Sequence, residues 1–245
     1  MRFGDLTYEE IRARAGAGWL AIVPTGCTEQ QGPHLPVDLD TWLAETVCLA
    51  AAQRAAEQHG VKALVLPALP FGPTPEHRNY GSGYVDLPQA LHEGVVASVL
   101  RSLAEQGFRR IVVWRGCGQH RLDGVVARFN RTWSGRARAF LPGLPYAQIW
   151  EKVAPGIPGG HADSFTTSLA LHLRPDAVRI DCIPPPEIEA VDWDDPNLDF
   201  AAYSASGVIG DATRASRELG ARVWEMVLER VALTFRKVTG TPWAC

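Results

Sequence analysis

The chain has 245 residues, is 46% hydrophobic and carries a formal net charge of -3. No apolar run approaches the roughly 20 residues that cross a bilayer, and the scattered basic residues form no footprint for nucleic acid. Five cysteines (Cys27, Cys48, Cys117, Cys182 and Cys245) without a C-x-x-C pair read as reduced thiols. The first 20 residues are broken by Asp5, Glu9, Glu10, Arg12 and Arg14 and do not read as a signal peptide, so a cytoplasmic location is the expected default. With no low-complexity linker, residues 1–245 read as one α/β domain.

Thr7 and Glu10 have capping-box spacing, which predicts a short helix over 8–14. A strand over 19–24 follows, then a loop, then helical periodicity over 41–59 ending at Gly60. Residues 61–66 predict a second strand. The long Gly/Pro-rich connection 67–87 contains Pro75, Glu76 and His77, and such length marks a functional segment. A helix over 88–106, a strand over 110–114, a helix over 122–133 and a strand near 137–141 continue the alternation. Residues 144–160 are expected as loop, 164–173 as helix, and 183–200 as irregular chain rich in Pro and Asp. A terminal helix ends near 238. Strands alternating with helices imply a mostly parallel sheet covered on both faces, a three-layer sandwich.

Chemistry concentrates in three loops. Residues 26–41 gather Glu29, Gln31, His34, Asp38 and Asp40 between stiffening prolines; residues 115–120 bring Cys117, Gln119 and His120; residues 161–164 bring His161 and Asp163. In a parallel sheet, loops after strands line one edge, where ligands bind. Carboxylates on a rigid loop suit a divalent metal. Simpler roles stand beside this. Asp40 could cap the helix after it, Cys117 could be a small buried side chain, His34 a packing residue and His120 a helix cap. His77 could join from the long connection, and Trp150 precedes a Gly/Pro-rich loop able to close over a site.

The ordered set of motifs resembles the creatininase superfamily, which includes a mycofactocin-precursor peptidase and a formamide hydrolase. The run Gly26 to Pro36 followed by Asp40-Thr41 is similar to the family's first motif, with Gln31 in place of a His. Arg115-Gly116-Cys117-Gly118-Gln119-His120, His161-Ala162-Asp163-Ser164 and Ser206-Gly207-Val208-Ile209-Gly210-Asp211 stand for the other three. The resemblance implies a metal-dependent amidohydrolase cleaving an amide, cyclic amide or formamide bond in a small molecule. Glu29, Asp40 and Cys117 would hold the ion, zinc before manganese or iron, and His161, Glu29 and Gln119 would serve catalysis. Cys117 replaces a His ligand, Gln31 offers an amide oxygen and Ser164 replaces a carboxylate. One ion is therefore expected instead of two, which speaks against creatinine itself. Gln31, His34, His77, His120 and Asp163 are further candidate contacts. The resemblance also implies a homo-oligomer, of which a hexamer is one form. Two alternatives remain: a degenerate binding or scaffolding protein, and, ranked third, an amidase using Cys117 as nucleophile with His120 or His161 as base.

Overall fold

The computed structural model describes residues 1–187 and 190–241. Cys245 lies outside the described residues. The capping box at Thr7 and Glu10 opens α1 (Tyr8–Gly16) as expected, two residues longer than predicted. Next come β1 (Leu20–Thr25) and α2 (Leu39–His59), which Gly60 closes in the left-handed conformation. After β2 (Ala63–Val65) a short 3₁₀ turn, Pro75–Tyr80, breaks the long connection before α3 (Gln89–Glu105). Then follow β3 (Arg110–Arg115), α4 (Asp123–Thr132) and β4 (Arg138–Phe140). Three further helices complete the described order: α5 (Tyr146–Val153), α6 (Ser164–Leu173) and α7 (Arg217–Gly240).

The strands form one parallel sheet in the order β2-β1-β3-β4. Period-2 alternation distributes their side chains to two cores. Leu20, Ile22, Val112 and Trp114 face α2 and α7 with Val47, Val227 and Phe235. Ala21, Val23, Ile111 and Val113 face α3 and α4 with Leu100, Leu103 and Phe129. Each buried Leu, Ile or Phe contributes about 1.5–3 kcal/mol by leaving water, so central strands apolar on both faces are stable only between two helical layers. The three-layer sandwich is the one expected.

Helix α5 corrects the expectation of a loop over 144–160. Its Ile149, Trp150 and Val153 recur at helical spacing and are buried, but the flanking prolines and glycines obscured that short pattern. The capping role weighed for Asp40 is also corrected. Asp40 sits inside the first turn of α2, and the N-cap position belongs to Asp38, whose carboxylate pairs with Arg174 instead of the helix end. No helix among the described residues is long and apolar enough to cross a membrane.

Candidate metal centre

The sheet order changes direction between β1 and β3, because the chain leaves β1 for β2 on one side and returns to β3 on the other. Loops after such a pair diverge and leave a crevice. Glu29 follows β1 and Cys117 follows β3, while the start of α2 brings Asp40 to the same place. Donor atoms of Cys27, Glu29, Asp40 and Cys117 all lie within 4.8 Å of one another. The Cys27 thiol donates to Asp40 Oδ2 at 3.3 Å. Gln31 Nε2 donates to Glu29 Oε1 at 3.3 Å and to Asp40 Oδ2 at 3.2 Å. Gln31 therefore orients both carboxylates through its NH₂ group.

His161 opens the other wall. An antiparallel bridge to Ile209 holds its backbone, with His161 N to Ile209 O at 3.0 Å and Ile209 N to His161 O at 2.9 Å. Its Nε2–H donates to the Gln30 carbonyl at 2.8 Å, which leaves Nδ1 as a lone pair 3.8 Å from Glu29 Oε1. Gln30 also sets His77. Its Oε1 accepts from Gly32 N at 2.8 Å and its Nε2 donates to Gly207 O at 3.2 Å, so the amide that meets His77 Nδ1 at 3.1 Å is the NH₂ end. Nδ1 then accepts, and His77 carries its proton on Nε2, aimed at Glu29 Oε2 at 3.5 Å. Glu29, His77 and His161 also bring donor atoms within 4.8 Å, yet this tautomer turns an N–H of His77 toward Glu29 without forming a hydrogen bond.

Burial governs the protonation states. It raises Glu29, and burial together with the charge of Glu29 carries Asp40 up to about 8. Two carboxylates in this low-dielectric site do not both ionise without a cation. The hydrogen bond with Cys27 works to lower the Cys117 thiol, but burial and the nearby carboxylates carry it up to about 11, and burial holds Cys27 well above the usual thiol range. Burial, with His77 second, drives His161 down to about 3, so it is neutral near pH 7. Glu29 Oε2 is buried without a hydrogen-bond partner. Sulfur and carboxylate donors around an unpartnered oxygen fit a borderline divalent ion such as zinc.

Glu29, Asp40 and Cys117 form the floor of a cavity of about 560 Å³ whose walls include Tyr146, Trp150, Phe165, Trp193 and Phe200, with Cys27 buried behind them. Trp150 is held by its indole N–H on Ile157 O at 2.9 Å, and Phe200 packs against the ring of His161 with centroids 5.2 Å apart.

The remaining candidates divide. Gln119 lines the cavity, but its amide donates to Trp193 O at 3.4 Å instead of meeting the carboxylates. Asp163 is the N-cap of α6, accepting from Thr166 N at 3.1 Å and Gly160 N at 2.6 Å, so its expected ligand role gives way to a structural one. His34 is fully buried, bonds Thr167 Oγ1 at 2.8 Å, and burial lowers it to about 4. It is a packing residue, set apart from the carboxylates. His120 is likewise fully buried, beside Cys27 and Cys117, and does not cap α4. Sequence reasoning missed Cys27 and Gln30. Their signal was position alone, one on each side of Glu29 within two residues.

The sequence profile of the creatininase family, described as creatinine amidohydrolase, matches residues 4–234. Creatinine amidohydrolase of Pseudomonas putida is 30% identical over 254 residues, covering 96% of this chain and 95% of that protein. The mycofactocin precursor peptide peptidase of Mycolicibacterium smegmatis is 31% identical over 215 residues, covering 85% and 81%. A solved structure described as creatininase Mn superposes with a TM-score of 0.83 at 27% identity, covering 98% of each chain.

Proposed function

From the premise that this chain belongs to the creatininase (creatinine amidohydrolase) family and is a hydrolase of carbon–nitrogen bonds, we propose that it cleaves an amide, cyclic amide or formamide bond in a small molecule, with a divalent ion held by Glu29, Asp40 and Cys117. Zinc is the first choice for a set that includes a thiolate, with manganese or iron as substitutes. The observation that carries this reading is the convergence of those donor atoms at the floor of the aromatic cavity. A bound divalent ion supplies Lewis-acid polarisation of the scissile carbonyl and lowers the pKa of water.

The chain's own groups do the rest. Gln31 fixes the facing oxygens of Glu29 and Asp40. His77 lies with its Nε2 3.5 Å from the other oxygen of Glu29 without bonding it, which leaves that oxygen free for an ion. The Nδ1 lone pair of His161 takes the proton of the attacking water. The imidazolium so formed returns that proton to the departing nitrogen. The aromatic walls orient a planar amide and exclude bulk water.

Likeness to the mycofactocin precursor peptide peptidase supports a peptide amide as the second reading. The same proposal includes a cytoplasmic homo-oligomer, supported by Leu91 and Val95, which α3 leaves 53% and 36% exposed. The test is metal content by inductively coupled plasma mass spectrometry, beside a hydrolysis screen of small amides, formamides and short peptides. Asp40→Ala and Cys117→Ala should each lose an ion together with turnover. Wild-type protein that takes up no zinc, manganese or iron overturns the reading.

A further inference from the structure

Two histidines next to the thiols take no part in the reaction outlined above. His92 and His120 are both fully buried, their rings lie 4.7 Å apart between centroids, and none of their four ring nitrogens has a hydrogen-bond partner. A buried polar group left without a partner is unfavourable, so four in one place form a cluster whose chemistry is incomplete as a plain core. The fold makes room for it. A Cβ on Gly72 would stand 2.3 Å from His120 Nε2, so the glycine reserves the space the ring occupies. Arg115 Nη1 anchors the backbone by donating to His120 O at 3.1 Å.

A His120 ring nitrogen, Cys27 Sγ and Cys117 Sγ lie within 4.8 Å of one another, a donor set distinct from the one that includes Glu29 and Asp40. We propose that Cys27, Cys117 and His120 form a second site for a thiophilic divalent ion such as zinc, with Cys117 shared between this ion and the one at the carboxylates. The proposal rests on the preceding reading for that first ion. Sulfur and imidazole donors sealed from solvent are the composition of structural zinc sites. Charge supports two ions as well. Two thiolates and two carboxylates offset two divalent cations, so the buried assembly is neutral, whereas the four anions alone would be costly to bury. Binding releases the two thiol protons to solvent. One nitrogen of His120 coordinates, and the tilted ring of His92 lies beside it with centroids 4.7 Å apart.

Metal-free protein titrated with cobalt(II) tests this, because each bound thiolate adds near-ultraviolet charge-transfer absorbance. Wild type should take up two ions per chain. Asp40→Ala should retain one, with the absorbance of two thiolates, and adding His120→Ala or Cys27→Ser should weaken that uptake at least tenfold. His120→Asn serves as a second variant that keeps a polar side chain, and circular dichroism verifies that each protein is folded. Loss of all thiolate absorbance in Asp40→Ala overturns the proposal, as does unchanged affinity in both His120 variants. A single ion that survives Asp40→Ala but not His120→Ala would uphold this site while overturning the carboxylate site.

Discussion

Replacing Gly207 by alanine places a methyl carbon 2.0 Å from Gln30 Oε1, in a backbone with φ of 86°. Ordinary contact begins at 3.4 Å, so the amide must retreat by roughly 1.4 Å, the difference between the two distances. That movement is incompatible with its bonds to Gly32 N, Gly207 O and His77 Nδ1 at 2.8, 3.2 and 3.1 Å. The left-handed backbone alone costs an alanine about 1–2 kcal/mol. Each buried group stripped of its partner adds about 1–3 kcal/mol. Gly135→Ala provides the reference, since Gly135 has φ of 74° and nothing within 4 Å of its Cβ position. The expected excess of Gly207→Ala over Gly135→Ala is about 2–6 kcal/mol, a large share of a total stability of about 5–15 kcal/mol. Urea denaturation midpoints measure it. In a Gln30→Ala background the clash is gone, so Gly207→Ala should there cost no more than the reference. Equal costs for Gly207→Ala and Gly135→Ala in the otherwise wild-type chain would refute the reasoning, and with it the assignment of Gln30 as the residue that sets His77 and His161.

Asp163→Ala should lower stability by about 0.5–2 kcal/mol through loss of the α6 cap, and leave metal content per chain unchanged; reduced metal content would restore Asp163 as a ligand. Stability should fall in acid in part through His34. Burial holds its folded pKa near 4, whereas an unfolded histidine protonates near 6.5. The unfolded chain therefore takes the proton first as pH falls, so this contribution is complete above pH 6.5 and is lost between there and about pH 4. Urea midpoints across that window should slope less steeply in His34→Gln, and an unchanged slope would rule this contribution out. In metal-free protein the carboxylates act in the opposite sense. Asp40, raised to about 8, disfavours the fold as pH rises from about 4 toward 8, so chelation should lower the melting temperature more at pH 8 than at pH 6. Asp40→Asn should abolish that difference.

The layered fold was legible because periodicity is a local property. Leu20, Ala21, Ile22 and Val23 read as strand, and they alternate between two cores as a central strand must. Thr7 with Glu10 marked the start of α1 for the same reason, since a capping box closes within one turn. Helix α5 escaped because it is short and lies between Pro145 and the Gly/Pro-rich stretch 155–160. Residue type and motif order marked Glu29, Asp40, Cys117 and His161, because only some side chains hold ions or carry protons. What those groups touch was decided in three dimensions. The order β2-β1-β3-β4 sets Cys117 beside Cys27 across 90 positions of sequence and gives His120 two thiols as neighbours. Asp163 and Asp40 are the same residue type near the start of a helix. One caps because its carboxylate faces free backbone N–H groups; the other stays available because its carboxylate faces a thiol and an amide across the crevice. Sequence determines which chemistry is present, and the packing of strand ends determines which atoms are left without partners to perform it.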